Sequence, residues 1–196
     1  TFKNIENISK TKLKLKECLK SKDNFVDGRD IKIKNILEKN KEIIQRILNL
    51  LSIDRDLNKI TFTPSTGRGN IIKLHGSEII DQTYNAHPDT VIATAMEEDS
   101  SKTILVLGDM AELGEDENKK HENLLSQLED FQIFITGKIF KEVIKKKSSK
   151  NINFFENKQD FQKNYLIKQL KAGKKVYFKG SRSSKMESYL ELLVND

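Results

Sequence analysis

Residues 103–114 read TILVLGDMAELG, and this stretch decides the fold class. Thr103–Leu107 is a continuous apolar run with the length of one β-strand. Such a run without polar alternation is typical of a strand that is covered on both faces, as in a parallel sheet. Gly108 ends the run and opens a charged loop. The stretch therefore predicts a buried parallel strand whose carboxyl end leads into a polar turn.

The sequence downstream of this strand repeats the same alternation. Helical periodicity and short apolar runs predict helices at about 117–129, 138–147, 158–171 and 184–193, and strands at about 131–136, 152–155 and 175–179. Four alternations of strand and helix indicate a parallel α/β sheet with short connections. Ser184 and Glu187 have the spacing of a capping box at the start of the last helix.

Upstream of residue 103, the pattern predicts a hairpin and a further helix. The apolar runs 71–74 and 78–80 flank His75-Gly76-Ser77, which is typical of a turn between two strands. Pro88 lies where the first turn of a helix tolerates proline. We predict an α/β fold, a mainly parallel Rossmann-like sheet flanked by helices, preceded by a helical N-terminal segment.

The N-terminal segment differs from the rest in pattern and in charge. Pro64–Gly69, rich in glycine and small polar residues, is the predicted boundary between domains at 1–63 and 64–196. Before it, apolar residues at helical spacing predict an amphipathic helix at about 35–51. Residues 1–50 hold 13 Lys/Arg and 7 Asp/Glu, whereas residues 51–196 hold 22 of each. The basic character of the chain therefore belongs to its first quarter.

Several functional classes are disfavoured by composition. The N-terminal lysines have no interleaved aromatic residues and no nucleic-acid module around them, so we expect a solvated face and no nucleic-acid partner. Cys18 is the only cysteine, which excludes an intrachain disulfide and a cysteine-based zinc site. No apolar run has the length of a membrane span, and the N-terminus lacks the apolar stretch of a signal peptide, so we expect a cytoplasmic protein. The sequence does not begin with Met, and a fragment of a larger protein is one interpretation.

Three polar loops follow predicted strands, and ligands of parallel sheets bind at the carboxyl ends of strands. The loops are Asp81–Pro88, Gly108–Gly114 and Lys179–Arg182, and Gly67-Arg68-Gly69 precedes the sheet. Each has a structural alternative, since the glycines can form simple turns and the acidic residues can lie at helix N-termini. The sequence lacks the motifs of several other functional classes. It has no His-Glu-x-x-His metal-binding motif, no G-x-S-x-G hydrolase motif, no complete dinucleotide fingerprint and no phosphate loop. We therefore expect no metal site and locate no catalytic residue in this chain.

Four motifs in order resemble the C-terminal domain of Mur ligases, most closely those that add D-alanyl-D-alanine to UDP-N-acetylmuramoyl-tripeptide. They are Gly67-Arg68, Tyr84-Asn85-Ala86 with Pro88, LGDMAELG at 107–114, and KGSRS at 179–183 followed by Met186-Glu187. The sequence departs from the family pattern at two positions. Gln82 stands in place of the second Asp of a D-D pair, and His87 in place of an Asn.

The resemblance implies a peptide-bond-forming reaction in peptidoglycan synthesis. In this family ATP converts a carboxylate into an acyl phosphate, which the amine of D-alanyl-D-alanine attacks, and the central domain binds ATP and Mg²⁺ through a phosphate loop. The implied nucleotide-binding residues are Arg68, Asp81, Tyr84 and Asn85. The implied substrate-binding residues are Asp109, Glu112, Lys179, Ser181 and Arg182. The implied partners are ATP, D-alanyl-D-alanine and UDP-N-acetylmuramoyl-tripeptide, and the expected state is a monomer.

Two functional hypotheses remain open. The chain is part of an ATP-dependent ligase, with residues 1–63 a helical, basic remnant of the central domain. Alternatively, it is a stand-alone, non-catalytic domain that has lost the ATPase portion. Because the phosphate loop is absent from the sequence, we expect this chain alone not to activate a carboxylate. A phosphate loop upstream of Thr1 would favour the first hypothesis, and a nearby initiator Met the second.

Overall fold

The computed structural model describes residues 5–33, 36–60, 64–146 and 150–195. The chain divides into two compact units, residues 1–63 and 64–196. The first unit contains helices α1 (Ile5–Leu13) and α2 (Ile36–Leu50), with short 3-10 helices at Lys14–Cys18, Lys22–Asn24, Gly28–Asp30 and Leu57–Lys59. Helix α2 lies where the amphipathic periodicity predicts one. That residues 1–63 are a remnant of a central domain stays a prediction.

The second unit is a six-stranded sheet flanked by helices, among the residues described. The strands are β1 (Asn70–Leu74), β2 (Ser77–Gln82), β3 (Thr103–Gly108), β4 (Gln132–Thr136), β5 (Ile152–Phe154) and β6 (Lys175–Lys179). The helices are α3 (Pro88–Ala95), α4 (Glu117–Gln127), α5 (Lys138–Lys146), α6 (Lys163–Lys171) and α7 (Glu187–Val194). The strand order is β1-β2-β6-β3-β4-β5, and only the β1–β2 pair is antiparallel. The predicted mainly parallel α/β fold is confirmed.

Strand β3 shows why the deciding stretch is apolar throughout. Leu105 and Leu107 pack into the core formed with α3, α4 and α5. Ile104 and Val106 point to the opposite face, where α6 and α7 cover the sheet. All four side chains are fully buried. Because successive side chains of a strand alternate between faces, a strand covered on both sides needs an apolar residue at every position.

The predicted hairpin is present between β1 and β2. Its two-residue turn is His75-Gly76, with φ of +52° and +82°. Positive φ at both central residues is the mark of the type I′ turn, whose twist matches that of the flanking strands. Histidine is among the residues that tolerate this left-handed region.

Two helices begin later than their sequence pattern predicts. Helix α6 starts at Lys163 rather than near residue 158, because the Asn157 side chain accepts hydrogen bonds from the Gln159 and Asp160 amides and holds a turn instead. Helix α7 starts at Glu187 rather than near residue 184. The capping-box prediction for Ser184 is wrong, because its hydroxyl donates to the Ser181 carbonyl 2.7 Å away.

Candidate functional site

The ends of three neighbouring strands bring the predicted loops together. Strand β6 lies between β2 and β3, and all three are parallel. Lys179 pairs in register with Gln82 on one side and with Leu107 on the other. The loops that follow these strands therefore leave the sheet along one side, which we call the carboxyl edge and define by Gln82, Lys179 and Gly108. Sequence analysis predicted that these loops share one edge, and the strand order confirms it.

The Gly67–Gly69 segment is tied to the loop after β2. The Gly67 amide donates to Asp81 Oδ2 at 3.1 Å, the Gly69 amide donates to the Asp81 carbonyl at 2.8 Å, and the Tyr84 amide donates to the Gly67 carbonyl at 3.1 Å. Gly67 has φ of +77°, and a Cβ there would lie 2.8 Å from the Tyr84 amide nitrogen. Only glycine fits this approach. Arg68 is thereby held beside Tyr84, although it precedes the sheet in sequence.

Asp81 organises these two segments from a buried position. Its Oδ1 accepts hydrogen bonds from the amide and the hydroxyl of Thr83, at 3.1 and 2.7 Å, while Oδ2 accepts from Gly67. The residue is 5% exposed. Both carboxylate oxygens are therefore used within the fold, which gives Asp81 a structural role. Its direct contact with a nucleotide stays a prediction.

Two guanidinium groups lie over the ring of Tyr84. The Arg68 guanidinium carbon is 3.9 Å from the ring centroid, and that of Arg182 is 5.8 Å away. Arg182 also forms an ion pair with Glu187 at 3.3 Å, and its side chain is 69% exposed. Arg182 is the exposed member of this pair, since the Glu187 side chain is 34% exposed and its Oε2 is buried without a hydrogen-bond partner among the described residues. Asn85 follows Tyr84 in the sequence and is exposed, and its side-chain oxygen accepts a hydrogen bond from the Ala86 amide.

Asp109 caps a helix. Its two carboxylate oxygens accept hydrogen bonds from the Ile139 and Phe140 amides at the N-terminus of α5, both at 3.0 Å. A carboxylate at this position satisfies amides that have no partner within the helix and suits the positive end of its dipole. Gly137 permits the approach, since a Cβ there would overlap the Asp109 carboxylate. Asp109 thus joins β3 to α5, and its predicted contact with substrate stays untested.

Ser181 fixes the loop that carries Arg182. Its amide and its hydroxyl both donate to the Asp109 carbonyl, at 3.1 and 2.6 Å. The residue is 2% exposed. Ser181 therefore holds the start of the loop against β3. Of these two implied substrate-binding residues, Arg182 is the exposed one.

Lys179 is the buried cation of the carboxyl edge. The residue is 6% exposed, and its ammonium donates to the side-chain oxygen of Gln82. Burial lowers the pKa of Lys179 from 10.5 to about 8. Within the part of the chain that the structure describes, no carboxylate lies within ion-pair distance of this ammonium. At neutral pH Lys179 is therefore a mostly protonated, buried cation beside a neutral amide.

Glu112 is exposed, with φ of +63°. Its loop is held by His121, a residue that sequence analysis missed. The fully buried His121 accepts from the Met110 amide at Nε2, 3.0 Å away, and lies 2.8 Å from the Glu117 carbonyl at Nδ1. The neutral tautomer protonated at Nδ1 satisfies both contacts. The available signal was the spacing of His121 to the apolar Leu124 and Leu125 of α4, which places it on the buried face.

Among the described residues, no group of three or more His, Cys, Asp or Glu side chains has the arrangement of a metal site. Asp81 and Asp109 are engaged with backbone amides, so these two carboxylates do not offer a site for Mg²⁺. None of the helices described is long and apolar enough to span a membrane.

A mainly parallel α/β sheet whose carboxyl edge presents cations from separate loops has the chemistry to attract phosphates and carboxylates. Residues 67–182 match the family model of the Mur ligase, glutamate ligase domain. The chain belongs to the Mur ligase family, and the resemblance seen in its motifs is confirmed.

Individual relatives agree with this assignment. The chain is 34% identical over 126 residues to the UDP-N-acetylmuramoyl-tripeptide–D-alanyl-D-alanine ligase of Buchnera aphidicola, a match that covers 60% of this chain and 27% of that protein. The MurF ligase of Thermotoga maritima, solved in complex with ADP, is similar with a TM-score of 0.68 and 25% identity, over 81% of this chain and 38% of that one. A MurF structure from Acinetobacter baumannii shares the fold, with a TM-score of 0.67 and 20% identity, over 82% of this chain and 37% of that one. The chain thus spans about a quarter of the length of the curated relative that it matches.

Proposed function

We propose that residues 64–196 are the C-terminal domain of an ATP-dependent ligase that joins D-alanyl-D-alanine to UDP-N-acetylmuramoyl-tripeptide in the cytoplasm, a step of peptidoglycan synthesis. The observation that carries the proposal is the match to a ligase of that name over 126 residues. The arrangement of the loops supports it, because the motif residues converge on one ligand-facing edge.

The nucleotide-facing part of this edge is Arg68 with Tyr84. A guanidinium can bind two oxygens of one phosphate, and the Tyr84 ring restricts Arg68 to the required orientation. Asp81 holds the segments that carry Arg68 and Tyr84 in place, through Gly67 and Thr83. Asn85 follows Tyr84 in the sequence and is exposed. In the proposed reaction ATP supplies the phosphoryl group that activates the acceptor carboxylate. Asp81 and Asp109 do not offer a site for Mg²⁺, and we assign them no metal-dependent step.

The amine substrate lies, in this proposal, at the loop after β6. Arg182 is exposed and can pair with a carboxylate, while Ser181 and Asp109 fix the backbone from which it extends. Glu112 belongs to the neighbouring loop, at the end of β3. The chain's own contribution is therefore to bind and orient the dipeptide. The carboxylate is activated by residues that the described part of the chain does not contain.

The proposal is tested by stereospecific binding to the whole chain. The ¹⁵N-labelled protein is titrated with D-alanyl-D-alanine and, as a matched control, with its mirror image L-alanyl-L-alanine, while amide shifts are followed by NMR. We expect the D-dipeptide to shift amides of residues 180–186, and the L-dipeptide to bind roughly tenfold more weakly, the scale of one lost hydrogen bond. Equal responses to the two dipeptides, or none to either, would contradict the proposed function.

A further inference from the structure

Two neighbouring residues of α4 hold the loop that carries Glu112. His121 accepts a hydrogen bond from the Met110 amide at 3.0 Å, and the Lys120 ammonium donates to the Leu113 carbonyl at 2.9 Å. Met110 and Leu113 are buried, whereas Glu112 between them is exposed. We call the pair Lys120 and His121 the α4 clamp. The α4 clamp fastens both ends of the loop and leaves Glu112 at its tip.

The backbone of Glu112 needs support of this kind. Its φ is +63°, in the left-handed region that residues with a side chain adopt only occasionally. A backbone in this region persists where the surrounding structure fixes it, and such residues cluster at functional sites. The contacts at Met110 and Leu113 lie on either side of Glu112 in the sequence, so they can supply the constraint.

The His121 ring is itself held in one orientation. It packs edge-on against Phe140, with the ring centroids 4.7 Å apart and the planes at 85°. Its Nδ1 lies 2.8 Å from the Glu117 carbonyl, which makes Nδ1 the donor and leaves Nε2 as the acceptor for the Met110 amide. An apolar side chain could fill the same space, but it could not accept this hydrogen bond. The chemistry of His121 is therefore specific to holding the loop.

The Glu112 loop is also joined to the loop that carries Arg182. The carbonyl of Asp109, at the start of the Glu112 loop, accepts hydrogen bonds from both the amide and the hydroxyl of Ser181. Glu112 and Arg182 therefore extend from backbones that are fixed to each other, and both are exposed. Ordering a mobile loop at the moment of binding lowers affinity, so a loop that is held in advance binds its ligand more tightly.

We propose that the α4 clamp is a positioning device of the ligand site, in which His121 holds the Glu112 loop in its ligand-binding conformation. His121 acts through the Met110 amide and does not itself touch the ligand. That the ligand is D-alanyl-D-alanine rests on the proposed function. If His121 only filled the core, any replacement that keeps the fold would leave the loop and the ligand affinity unchanged.

The test compares His121→Gln with His121→Asn in the full 196-residue chain. Gln can place its amide oxygen near the position of Nε2 and accept from the Met110 amide, whereas Asn reaches only as far as Nδ1. Both variants lose the ring, so the loss of packing is common to the pair. Lys120→Met removes the second contact of the α4 clamp. Lys119→Met is its matched control, because Lys119 is exposed one residue earlier on the same helix.

Amide hydrogen exchange reports on the loop, with the amides of β3 as a reference for global stability. We expect the Met110 amide to exchange roughly tenfold or more faster in His121→Asn than in His121→Gln, the scale of one lost hydrogen bond.

Titration with D-alanyl-D-alanine reports on the ligand site. The dipeptide should bind roughly three- to tenfold more weakly to His121→Asn, whereas His121→Gln should stay close to the unaltered chain, because only the first variant must order the loop on binding. Lys120→Met should also weaken binding, and Lys119→Met should leave it unchanged.

Equal exchange of the Met110 amide in the two His121 variants, relative to β3, would overturn the inference, and so would unchanged dipeptide affinity in His121→Asn. If His121→Asn does not fold, equal affinities of Lys120→Met and Lys119→Met would overturn it instead. In each case a preference of the unaltered chain for the D- over the L-dipeptide would leave the proposed function intact. A chain without that preference would lose the proposed function, and the exchange rates of Met110 and Glu112 would then decide whether His121 holds the loop.

Discussion

Replacing Lys179 by Met should make the chain more stable at neutral pH. The substitution keeps an unbranched side chain of similar length in a site that is 6% exposed and removes the charge. Burial opposes protonation of Lys179, which lowers its pKa from 10.5 to about 8. At pH 7 the folded chain nevertheless holds the ammonium protonated, and that state carries the full desolvation cost.

The size of the effect follows from the pKa of Lys179. A lowering from 10.5 to about 8 corresponds to roughly 3 kcal/mol between the protonation states. The hydrogen bond to Gln82 is lost in the variant and offsets about 1 kcal/mol of the gain, since Gln82 is half-buried and can be hydrated instead. We therefore expect Lys179→Met to raise the free energy of unfolding by about 1–3 kcal/mol at pH 7.

The pH dependence of the free energy of unfolding gives an independent check on the sign of this effect. Between pH 8 and 10.5 the unfolded chain binds more protons at this lysine than the folded chain does, so Lys179 makes the stability of the unaltered chain rise with pH in that window. Below pH 8 the cost is fully present, and it vanishes as the pH approaches 10.5. The advantage of Lys179→Met should accordingly be largest at pH 7 and shrink at pH 10.

Urea unfolding at pH 7 and pH 10 measures both expectations. Lys168→Met is the matched control, because Lys168 is exposed on α6, and we expect it to change stability by at most about 0.5 kcal/mol. A Lys179→Met chain that is less stable than the unaltered one at pH 7 would refute the reasoning, as would a gain that is equally large at pH 10.

Three further predictions concern other residues of the domain. His121→Ala should lower the free energy of unfolding by about 2–4 kcal/mol in urea titrations, because it leaves a cavity and removes the acceptor for the Met110 amide, whereas His75→Asn in the exposed turn should be nearly neutral. Arg182→Lys, in a full-length ligase carrying this domain, should lower kcat/KM for D-alanyl-D-alanine about tenfold or more with an unchanged Tm, since a two-pronged contact is lost; unchanged kinetics would make Arg182 an ordinary surface residue. The isolated chain should bind ATP weakly and show no ATP-dependent ligation in a product assay, and measurable turnover would contradict this.

The sequence predicted the fold well because the informative signals were local. The run at 103–107 is apolar at every position, and that is what a strand covered on both faces requires. The alternation of strands and helices then predicted a mainly parallel sheet, and the turn at His75-Gly76 predicted the hairpin. Helix starts were less predictable, because Asn157 and Ser184 form local hydrogen bonds that compete with helical ones.

The roles of the site residues were harder to predict, because they depend on strand order. Asp109 looked like a ligand-facing carboxylate, but β4 lies next to β3 and brings the N-terminus of α5 within its reach. Asp81 likewise bonds to Gly67, fourteen residues earlier in the chain. The resemblance implied that Lys179 binds substrate, but its burial beside Gln82 follows only from the order β2-β6-β3, which places it between two other strands.

These assignments change what the carboxyl edge can do chemically. A carboxylate whose oxygens already accept two or three hydrogen bonds within the fold is poorly placed to act as a base, and this holds for Asp81 and Asp109 alike. The groups left to meet a ligand are the cations Arg68, Lys179 and Arg182 and the exposed carboxylate of Glu112. The cations attract and orient anions but do not remove the proton of an attacking amine. They are therefore suited to positioning an anionic partner, and neither Asp81 nor Asp109 is available as the base for the proposed reaction.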